Sequence, residues 1–358
     1  MSDSTVKNQT PDAPVKERRR LLTVTSSPHL RSPETTTGIM LDVIIALSPS
    51  LIAAICVFGW RTLLVTCVTV ATCVVSEYLS RKIMRRDNTI SDLSAVVTGI
   101  LLAFNLPVTI PLWMAAIGSV VAIVVVKQFF GGIGCNFINP ALVGRIVLMM
   151  SFPTAMSSWA VPLAWRSGSA VTAATPMAQL SSVLDAGVSA QSLNAAGLPS
   201  LTEMLLGVRG GSLGEVCALT LILGGLYLII RRVISPAIPL CYIGTVAVIM
   251  LIAGKGNFTF MAYELLGGGL LLGAIFMATD YTTSPLTFKG KIIYAVGCGL
   301  VTALIRLFGN MPEGVSFSII LMNILVPHIE KLTAPRPFGR RREKRIRQKK
   351  NEEAAEHA

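Results

Sequence analysis

Charged residues are scarce in this chain. They make up 14% of its 358 residues, whereas 52% are hydrophobic. A soluble domain usually carries about 25% charged residues, so the composition excludes an ordinary soluble protein. Basic residues predominate among the charges, with 31 Lys and Arg against 19 Asp and Glu. They cluster in the terminal segments and in short loops. That distribution is typical of residues that set membrane topology, and it does not indicate nucleic-acid binding. The basic C-terminal tail is expected to contact anionic lipid.

Cysteine and histidine are also few and scattered. None of the seven cysteines belongs to a C-x-x-C pair, and most fall in apolar stretches, where cysteine behaves as a small hydrophobe. Their spacing therefore gives no sign of a disulfide framework or of a set of iron–sulfur ligands. The three histidines are dispersed along the sequence, so they give no support to a metal site.

Long apolar stretches dominate the sequence instead. A helix needs about 20 apolar residues to cross the hydrocarbon core of a membrane. Three of the candidate stretches (92–106, 140–155 and 315–329) are shorter than a full crossing, which predicts broken or re-entrant segments. In chain order, the ten predicted spans lie near 39–59, 62–80, 92–106, 109–127, 140–155, 214–231, 236–254, 259–279, 290–307 and 315–329.

Basic clusters set the predicted orientation. They lie in both terminal segments and after the second span, and the positive-inside rule places all three in the cytoplasm. Ten spans are an even number, which agrees with both termini on the cytoplasmic side. The membrane is then the cell membrane (the inner or cytoplasmic membrane). The predicted regions are a cytoplasmic N-terminal arm (1–38), a first transmembrane half with a re-entrant Gly/Asn loop (39–155), an outward-facing loop (156–213), a second transmembrane half (214–330) and a basic cytoplasmic tail (331–358).

The two predicted halves echo each other weakly. Pro107 closes a span in the first half and Pro285 takes the corresponding place in the second. Gly131 lies as far beyond Pro107 as Gly309 lies beyond Pro285. Five spans in each half is an odd number, so the halves have opposite orientations, and such inverted repeats place polar sites near the midplane. The predicted fold is therefore an all-α polytopic membrane protein with about ten helices in two inverted halves.

The outer loop contains a strip of small residues, 168–176, that ends in Thr175-Pro176. Small neighbours leave a hydroxyl accessible to a modifying enzyme, and the proline biases Thr175 towards an extended backbone. These features predict that Thr175 accepts a phosphodiester-linked group. An ordinary Ala/Thr-rich loop is the alternative.

Two further polar stretches interrupt the spans. Asn136 and Asn139 follow the glycines of 131–134 and offer amide groups to a ligand, or else cap backbone groups of a re-entrant turn. Asp280 stands among hydroxyls at the end of the eighth span, where it is a candidate for holding a cation or relaying a proton. Its alternative is a water-exposed helix cap. Other ionisable groups near span ends are interpreted as snorkelling or ion-paired: Asp42, Glu77, Lys127, Arg145, Glu264 and Arg306.

Taken together, several stretches resemble the RnfD family, whose members are membrane components of the Rnf complex. That family is related to the NqrB proteins of the sodium-pumping NADH:quinone reductase. The resemblance covers about residues 25 to 335. The stretches are Ser27-Pro28-His29-Leu30-Arg31-Ser32-Pro33, Met40-Leu41-Asp42-Val43, Asn136 to Pro140, Phe276 to Pro285 and Pro312 to Ser318.

The resemblance implies a urea-transporter-like fold and a membrane subunit of an ion-translocating ferredoxin:NAD oxidoreductase, coupling electron relay to Na⁺ or H⁺ movement. It implies covalent FMN on Thr175, preceded by Thr172 in the acceptor strip, and a non-covalent riboflavin near Asn136 and Asn139. Ala173 and Ser169 depart from the family, which carries a glycine and commonly an acidic residue there.

The implied partners are the other Rnf subunits, which supply the iron–sulfur clusters, the NAD site and a second flavin, together with a flavin transferase for maturation. The alternative function is a small-solute transporter or channel without a redox cofactor.

Overall fold

Helices provide nearly all of the regular structure that the computed structural model describes. The described residues are 34–167, 172–173, 175–177, 179–180, 199–207, 209–215, 217–309 and 314–335. The chain divides into two units after Thr35. Only Glu34 and Thr35 of the first unit are described, and the helices below all belong to the second unit.

The region 39–155 contains five apolar helices. Between the second and third of them lies a turn of 3₁₀-helix, Ile90–Asp92. The helices are α1 (Thr36–Phe58), α2 (Trp60–Ile83), α3 (Ser94–Phe104), α4 (Leu112–Val120, continued as a π-helix over Val121–Gln128) and α5 (Pro140–Ser151).

The described part of the connecting region contains short helices and a pair of two-residue strands, and residues 176–177 and 179–180 are also helical. The strands β1 (Trp159–Ala160) and β2 (Thr172–Ala173) are antiparallel, with Trp159 opposite Ala173. Apart from this pair, the regular structure of the described residues is helical, as predicted. The short helices are α6 (Pro153–Met156), α7 (Ala164–Ser167) and α8 (Leu201–Leu206).

The remaining helices follow Cys217. They are α9 (Ala218–Ile230), α10 (Ala237–Ala253), α11 (Phe258–Leu266), α12 (Leu270–Leu272, continued as a π-helix over Gly273–Met277), α13 (Phe288–Phe308) and α14 (Val315–Thr333). Each of the ten predicted spans thus contains apolar helix.

Four helices (α1, α2, α13 and α14) are long and apolar enough to cross a membrane. The pair α11 and α12 passes the same test together but is bent by 63° at its break. Five other apolar helices are shorter than 18 residues. These findings confirm a multi-pass membrane protein, whereas ten full crossings and the urea-transporter-like layout stay predictions.

Two predictions about span length were wrong. The stretch 315–329 was predicted to be short, but α14 runs on to Thr333 and reaches 19 residues because Pro327 does not end it. The stretch 259–279 was predicted as a span and was not among those expected to be broken. It breaks at 267–269 because Gly268 and Gly269 adopt φ values of 62° and 66°, which side-chain-bearing residues rarely adopt.

Helix packing repeats between two sets of helices, α1–α5 and α9–α14, in which α11 and α12 count as one bent pair. In the first set α2 packs against α3 and α4, and in the second set α10 packs against α11 and α13. Likewise α4 contacts α5, and α13 contacts α14. The sets meet where α1 packs against α9 and where α5 meets α14. This repetition agrees with two related halves, while their opposite orientation stays a prediction.

Small residues allow the closest of these contacts. A Cβ added at Gly144 of α5 would lie 2.9 Å from the Gly118 carbonyl oxygen of α4, so the two backbones nearly touch. The α5 helix begins just after the glycine-rich loop, and this tight contact fixes its position. The loop is thereby held against the core that carries the cavity described next.

Candidate functional site

A cavity of about 440 Å³ lies where the two sets of helices meet. Its volume falls within the range of about 300–1,000 Å³ typical of small-molecule pockets. Most of its wall is apolar. The residues that line it come from the N-terminal parts of α1 and α3, the loop before α5, and the end of α12, and include Met40, Val97, Leu101, Ile133, Phe276 and Tyr281.

Asn139 lines the cavity and joins the two halves. Its side-chain oxygen accepts hydrogen bonds from the backbone N–H groups of Ala141 (3.1 Å) and Leu142 (3.4 Å), which caps α5. Its amide nitrogen donates to the carbonyl oxygen of Met277, 3.3 Å away. The capping interpretation of Asn139 is therefore confirmed. Most of the hydrogen-bonding capacity of this residue is already used within the chain.

Asn136 connects the glycine-rich loop to Asp280. Its amide nitrogen donates to the Ile138 carbonyl oxygen at 3.3 Å, and its side chain also hydrogen-bonds the Asp280 carboxyl group. Gly132 and Gly134 have φ values of 102° and 87°. Glycine adopts such values at little energetic cost, whereas other residues would be strained in this turn. The turn places Asn136 in the cavity wall, buried to 7% exposure.

Asp280 lies just beyond the π-helix that ends the broken span. Its carboxylate accepts hydrogen bonds from the hydroxyls of Thr282 (3.1 Å) and Thr283 (3.3 Å). Burial raises the pKa of Asp280, and the hydrogen bonds from Thr282, Thr283 and Asn136 oppose that rise. The structure thus brings Asn136, Asn139 and Asp280, which are far apart in sequence, to one cavity.

A buried ion pair contributes Lys127 to the cavity wall. Lys127 Nζ lies 2.9 Å from Glu77 Oε2, and the two side chains are only 4% and 0% exposed. Lys127 and Ser94 both line the cavity, and Lys127 donates to Ser94 Oγ at 2.6 Å. Ion pairing of these residues agrees with the sequence-based interpretation. Their position beside the cavity was not predicted, because no local pattern links residues from α2, α3 and the end of α4.

Ion pairs also hold other parts of the framework. Arg306 binds Glu264 at 3.2 Å and donates to the carbonyl oxygens of Gly267 and Gly268, which holds the break between α11 and α12. Arg231 binds Asp42 at 3.1 Å. These contacts confirm the interpretation of Asp42, Glu264 and Arg306 as ion-paired groups.

Arg145 lies between the halves and is 3% exposed. It donates to the Asn105 side-chain oxygen (2.8 Å) and to Ser316 Oγ (3.1 Å). Ser316 belongs to α14 and Asn105 follows α3, so Arg145 links helices of both sets.

The described residues of the predicted acceptor strip, 172–173 and 175–176, do not line this cavity. Thr172 is in β2, but only its backbone is described. Ser169 and Ala174 lie outside the described residues. The partner strand β1 precedes Leu163, whose N–H donates to the Val57 carbonyl oxygen at 2.9 Å. That contact is at the C-terminal end of α1, about 20–30 Å along the helix from its residues that line the cavity.

Thr175 itself is buried, with 4% exposure. The expectation of an accessible hydroxyl is therefore wrong for this conformation. Met177, two residues on, is 5% exposed and packs against Gly267 and Gly268 at the break of the broken span. The segment 175–177 packs against the broken span because Gly267 and Gly268 have no side chains and leave room for Met177.

Comparison with known proteins shows what the whole chain resembles. Residues 23–339 match the model of the NQR2, RnfD, RnfE family. The chain is 47% identical over 321 residues to the D-type subunit of the Na⁺-translocating ferredoxin:NAD⁺ oxidoreductase complex of Acetobacterium woodii, covering 89% of this chain and 95% of that protein. It is 43% identical to the proton-translocating counterpart of Clostridium ljungdahlii, over 91% and 98% of the two chains. Similarity extends to the D-type subunit of the ion-translocating oxidoreductase complex of Stutzerimonas stutzeri, at 39% identity over 84% and 92%.

Proposed function

This chain belongs to the NQR2, RnfD, RnfE family, and from that premise we propose that it is the RnfD-type membrane subunit of an ion-translocating ferredoxin:NAD oxidoreductase. The observation that carries the proposal is the cavity at which the two halves meet, with Asn136 and Asp280 hydrogen-bonded to each other in its wall. In this function the subunit relays electrons and couples their passage to the movement of a cation.

Asp280 is the proposed ion-pathway residue. Two of the relatives are named for different ions, Na⁺ and the proton, although they are similarly close to this chain at 47% and 43% identity. A carboxylate surrounded by two threonine hydroxyls and an amide suits either ion, because it can bind a hard cation or take up a proton. Asp280 also lines the cavity, so a charge arriving there acts on it directly.

The implied partners follow from what this chain does not supply. Its seven cysteines form no disulfide, and most of them lie in apolar helices, so the proposed iron–sulfur clusters belong to other subunits of the complex. The NAD site, a second covalent flavin and the flavin transferase are likewise assigned to partners. The subunit lies in the cell (inner or cytoplasmic) membrane, surrounded by lipid, and both termini face the cytoplasm.

Covalent FMN on Thr175 is the part of the proposal that the described conformation does not accommodate. The hydroxyl-bearing side chain is 4% exposed, and Met177 fixes the segment against the broken span. The Thr175 side chain is therefore covered in this conformation. We therefore propose that the transferase acts while the segment 175–177 is away from this position.

Replacing Thr175 tests the attachment. We expect Thr175→Ala, produced in cells that make the transferase, to lose all flavin fluorescence in a denaturing gel, because the ester oxygen is removed. Thr172→Ala is the matched control, since it removes a hydroxyl from the same strip, and should keep the fluorescence. The opposite pattern would assign the flavin to Thr172. Undiminished fluorescence in both variants would exclude the strip as the attachment site.

The cavity suits a non-covalent flavin such as riboflavin. Its wall is largely apolar, as a flat ring system requires, and it includes the polar side chains of Asn136, Asn139 and Asp280. Asn136 and Asp280 can fix the orientation of a polar ring edge by hydrogen bonding, and Asn139 holds the α5 backbone beside it. A bound flavin would supply the electron-carrying chemistry, and the protein would set its position and electrostatics.

Filling the cavity tests this assignment. Val97 of α3 lines the cavity, whereas its neighbour Val96 points elsewhere and is half-buried. We expect Val97→Phe to lose most of the non-covalent flavin released from the purified complex by denaturation, and Val96→Phe to retain it. Absence of non-covalent flavin from the wild-type complex would refute the cavity assignment. If covalent flavin were absent as well, the alternative of a solute transporter without a redox group would be favoured.

A further inference from the structure

A continuous hydrogen-bonded chain joins the turn before α3 to the cavity. At the surface, the hydroxyl of Thr89, which is half-buried, donates to Glu77 Oε1 at 2.9 Å. The other carboxylate oxygen of Glu77 accepts from Lys127 Nζ at 2.9 Å. Lys127 in turn donates to Ser94 Oγ at 2.6 Å, and both of these residues line the cavity. Every step is therefore within hydrogen-bonding distance.

A second branch reaches the same point by a shorter route. The Ser94 hydroxyl donates to Asp92 Oδ1 at 2.5 Å, and Asp92 is half-buried in the 3₁₀ turn. Thr89 and Asp92 both lie in the segment 84–93, which the positive-inside rule places in the cytoplasm. Ser94 is the point where the branches meet, and it lies between the surface turn and the cavity.

We propose that this chain, Thr89–Glu77–Lys127–Ser94 with Asp92 as a second starting point, delivers protons from the cytoplasm to the group that is reduced in the cavity. The inference rests on the proposed function, because it requires an electron carrier in the cavity. It assigns a role to an ion pair that packing alone does not require, since buried pairs are often no more stabilising than apolar residues of similar size.

The physical reason is charge compensation. An electron arriving in an apolar cavity adds a negative charge where the dielectric constant is low, and charges there are poorly stabilised. A proton that follows the electron restores neutrality. Lys127 is suited to supply it because its ammonium group is buried at the cavity wall and is connected to a carboxylate that can replace the proton.

The proposed transfer balances for each electron. The electron comes from a partner's iron–sulfur cluster or from a flavin of the complex. The Ser94 hydroxyl turns from Asp92 Oδ1 towards the reduced group, and its O–H bond breaks as the proton passes to that group. An N–H bond of Lys127 then breaks and a new Ser94 O–H bond forms. On the second branch, an Asp92 carboxyl that has taken a proton from water loses it to Ser94 in place of Lys127. The Glu77 carboxylate then takes the proton of the Thr89 hydroxyl and passes it to Lys127. Thr89 regains a proton from water, so that one proton enters for each electron.

Other charged and titratable side chains surround the chain. They come from α2, the turn before α3 and the far side of the cavity. These side chains are Cys73, Arg81, Arg86, Asp92 and Asp280. Ser94 carries no charge itself, so its replacement interrupts the chain without changing the charge of this cluster. That makes it the best residue for a test.

The experiment measures proton uptake during a single reduction of the purified complex. Reduced methyl viologen supplies electrons without protons, and a pH-indicating dye follows proton uptake in a stopped-flow instrument. We expect uptake by Ser94→Ala to be at least 10-fold slower than in the wild type. Thr89→Val should slow it less, about 2–3-fold, because the branch through Asp92 remains. Ser80→Ala is the matched control, since its buried hydroxyl donates only to the Ser76 carbonyl oxygen of its own helix.

The non-covalent flavin content and the final extent of reduction of each variant are measured first, and the rate of proton uptake is expressed per flavin reduced. If the content is equal and the Ser94→Ala, Thr89→Val double variant takes up protons at the wild-type rate, water at the cavity mouth supplies them and the inference is overturned. If the wild-type complex contains no non-covalent flavin, the cavity assignment itself fails and this inference falls with it. The two failures are therefore distinguishable.

Discussion

Replacing Lys127 by methionine removes one member of an ion pair that has almost no contact with solvent. The exposed fractions of the Lys127 and Glu77 side chains are 4% and 0%, and the charged atoms are 2.9 Å apart. After the replacement, the hydrogen bond from Thr89 is the one that Glu77 keeps among the described residues. Loss of one partner from a buried pair costs about 3–5 kcal/mol, because the remaining charge is left uncompensated in a poorly polarisable environment.

Replacing Glu77, the second member of the pair, separates the loss of the ion pair from other effects of substitution. Glu77→Gln alone leaves the Lys127 ammonium group without its counter-charge, so we expect a similar loss of about 3–5 kcal/mol. The double variant removes both charges and should return to within about 1–2 kcal/mol of the wild type, since apolar or neutral replacements of a whole buried pair are often harmless. The two substitutions are thus expected to be strongly non-additive.

A partly exposed ion pair in the same chain provides the control. Arg231 pairs with Asp42 at 3.1 Å, but the arginine side chain is 57% exposed. Arg231→Met should therefore cost only about 0–1 kcal/mol. The free energy of unfolding is measured in detergent by increasing the SDS concentration and following the labelling of Cys298, which is fully buried in α13. If Lys127→Met is no more destabilising than Arg231→Met, or if the double variant is as unstable as either single one, the interpretation is refuted.

Two further predictions concern packing and pH. Gly144→Ala should destabilise the protein by about 1–3 kcal/mol, because the new Cβ lies 2.9 Å from a backbone oxygen of Gly118, whereas Gly244→Ala meets no atom within 4 Å and should be neutral or stabilising in the same unfolding assay. Asp280→Asn should become more stable relative to the wild type as the pH rises. The pKa of Asp280 is raised from its ordinary value of 3.8, so the contribution of the carboxyl is fully present below that value and is lost as the pH rises through the folded-state pKa. Equal slopes of stability against pH for the wild type and Asp280→Asn would contradict this assignment.

Much of the helical framework could be predicted from apolar runs alone. Each predicted span contains helix in the structure, because the cost of an unsatisfied backbone group in lipid enforces helix wherever a long apolar run must cross. The exceptions occur at particular residues. Gly268 and Gly269 break a span whose composition looks continuous, and Pro327 lies inside a helix that continues past it. Apolar composition does not reveal either, since both depend on contacts with neighbouring helices.

The candidate site was predicted in pieces. Asn136, Asn139 and Asp280 were selected because polar residues are costly within apolar spans and so need a reason to be there. Their meeting at one cavity could not be predicted from spacing, because more than a hundred positions separate the loop before α5 from the end of α12. The burial of Thr175 was missed because it depends on Met177 packing against glycines from a distant part of the chain.

The sequence by itself determined that this chain is a helical multi-pass membrane protein, and its motifs identified the family. Those properties are local: apolar length and the order of residues in a short motif need no knowledge of what lies across the molecule. Only the tertiary structure decided which polar groups share a cavity, that Lys127 and Glu77 connect it to a surface turn, and that Thr175, the proposed acceptor, is covered. These properties depend on contacts between helices, and such contacts form only when the helices pack and hydrogen bonds and ion pairs bridge distant segments.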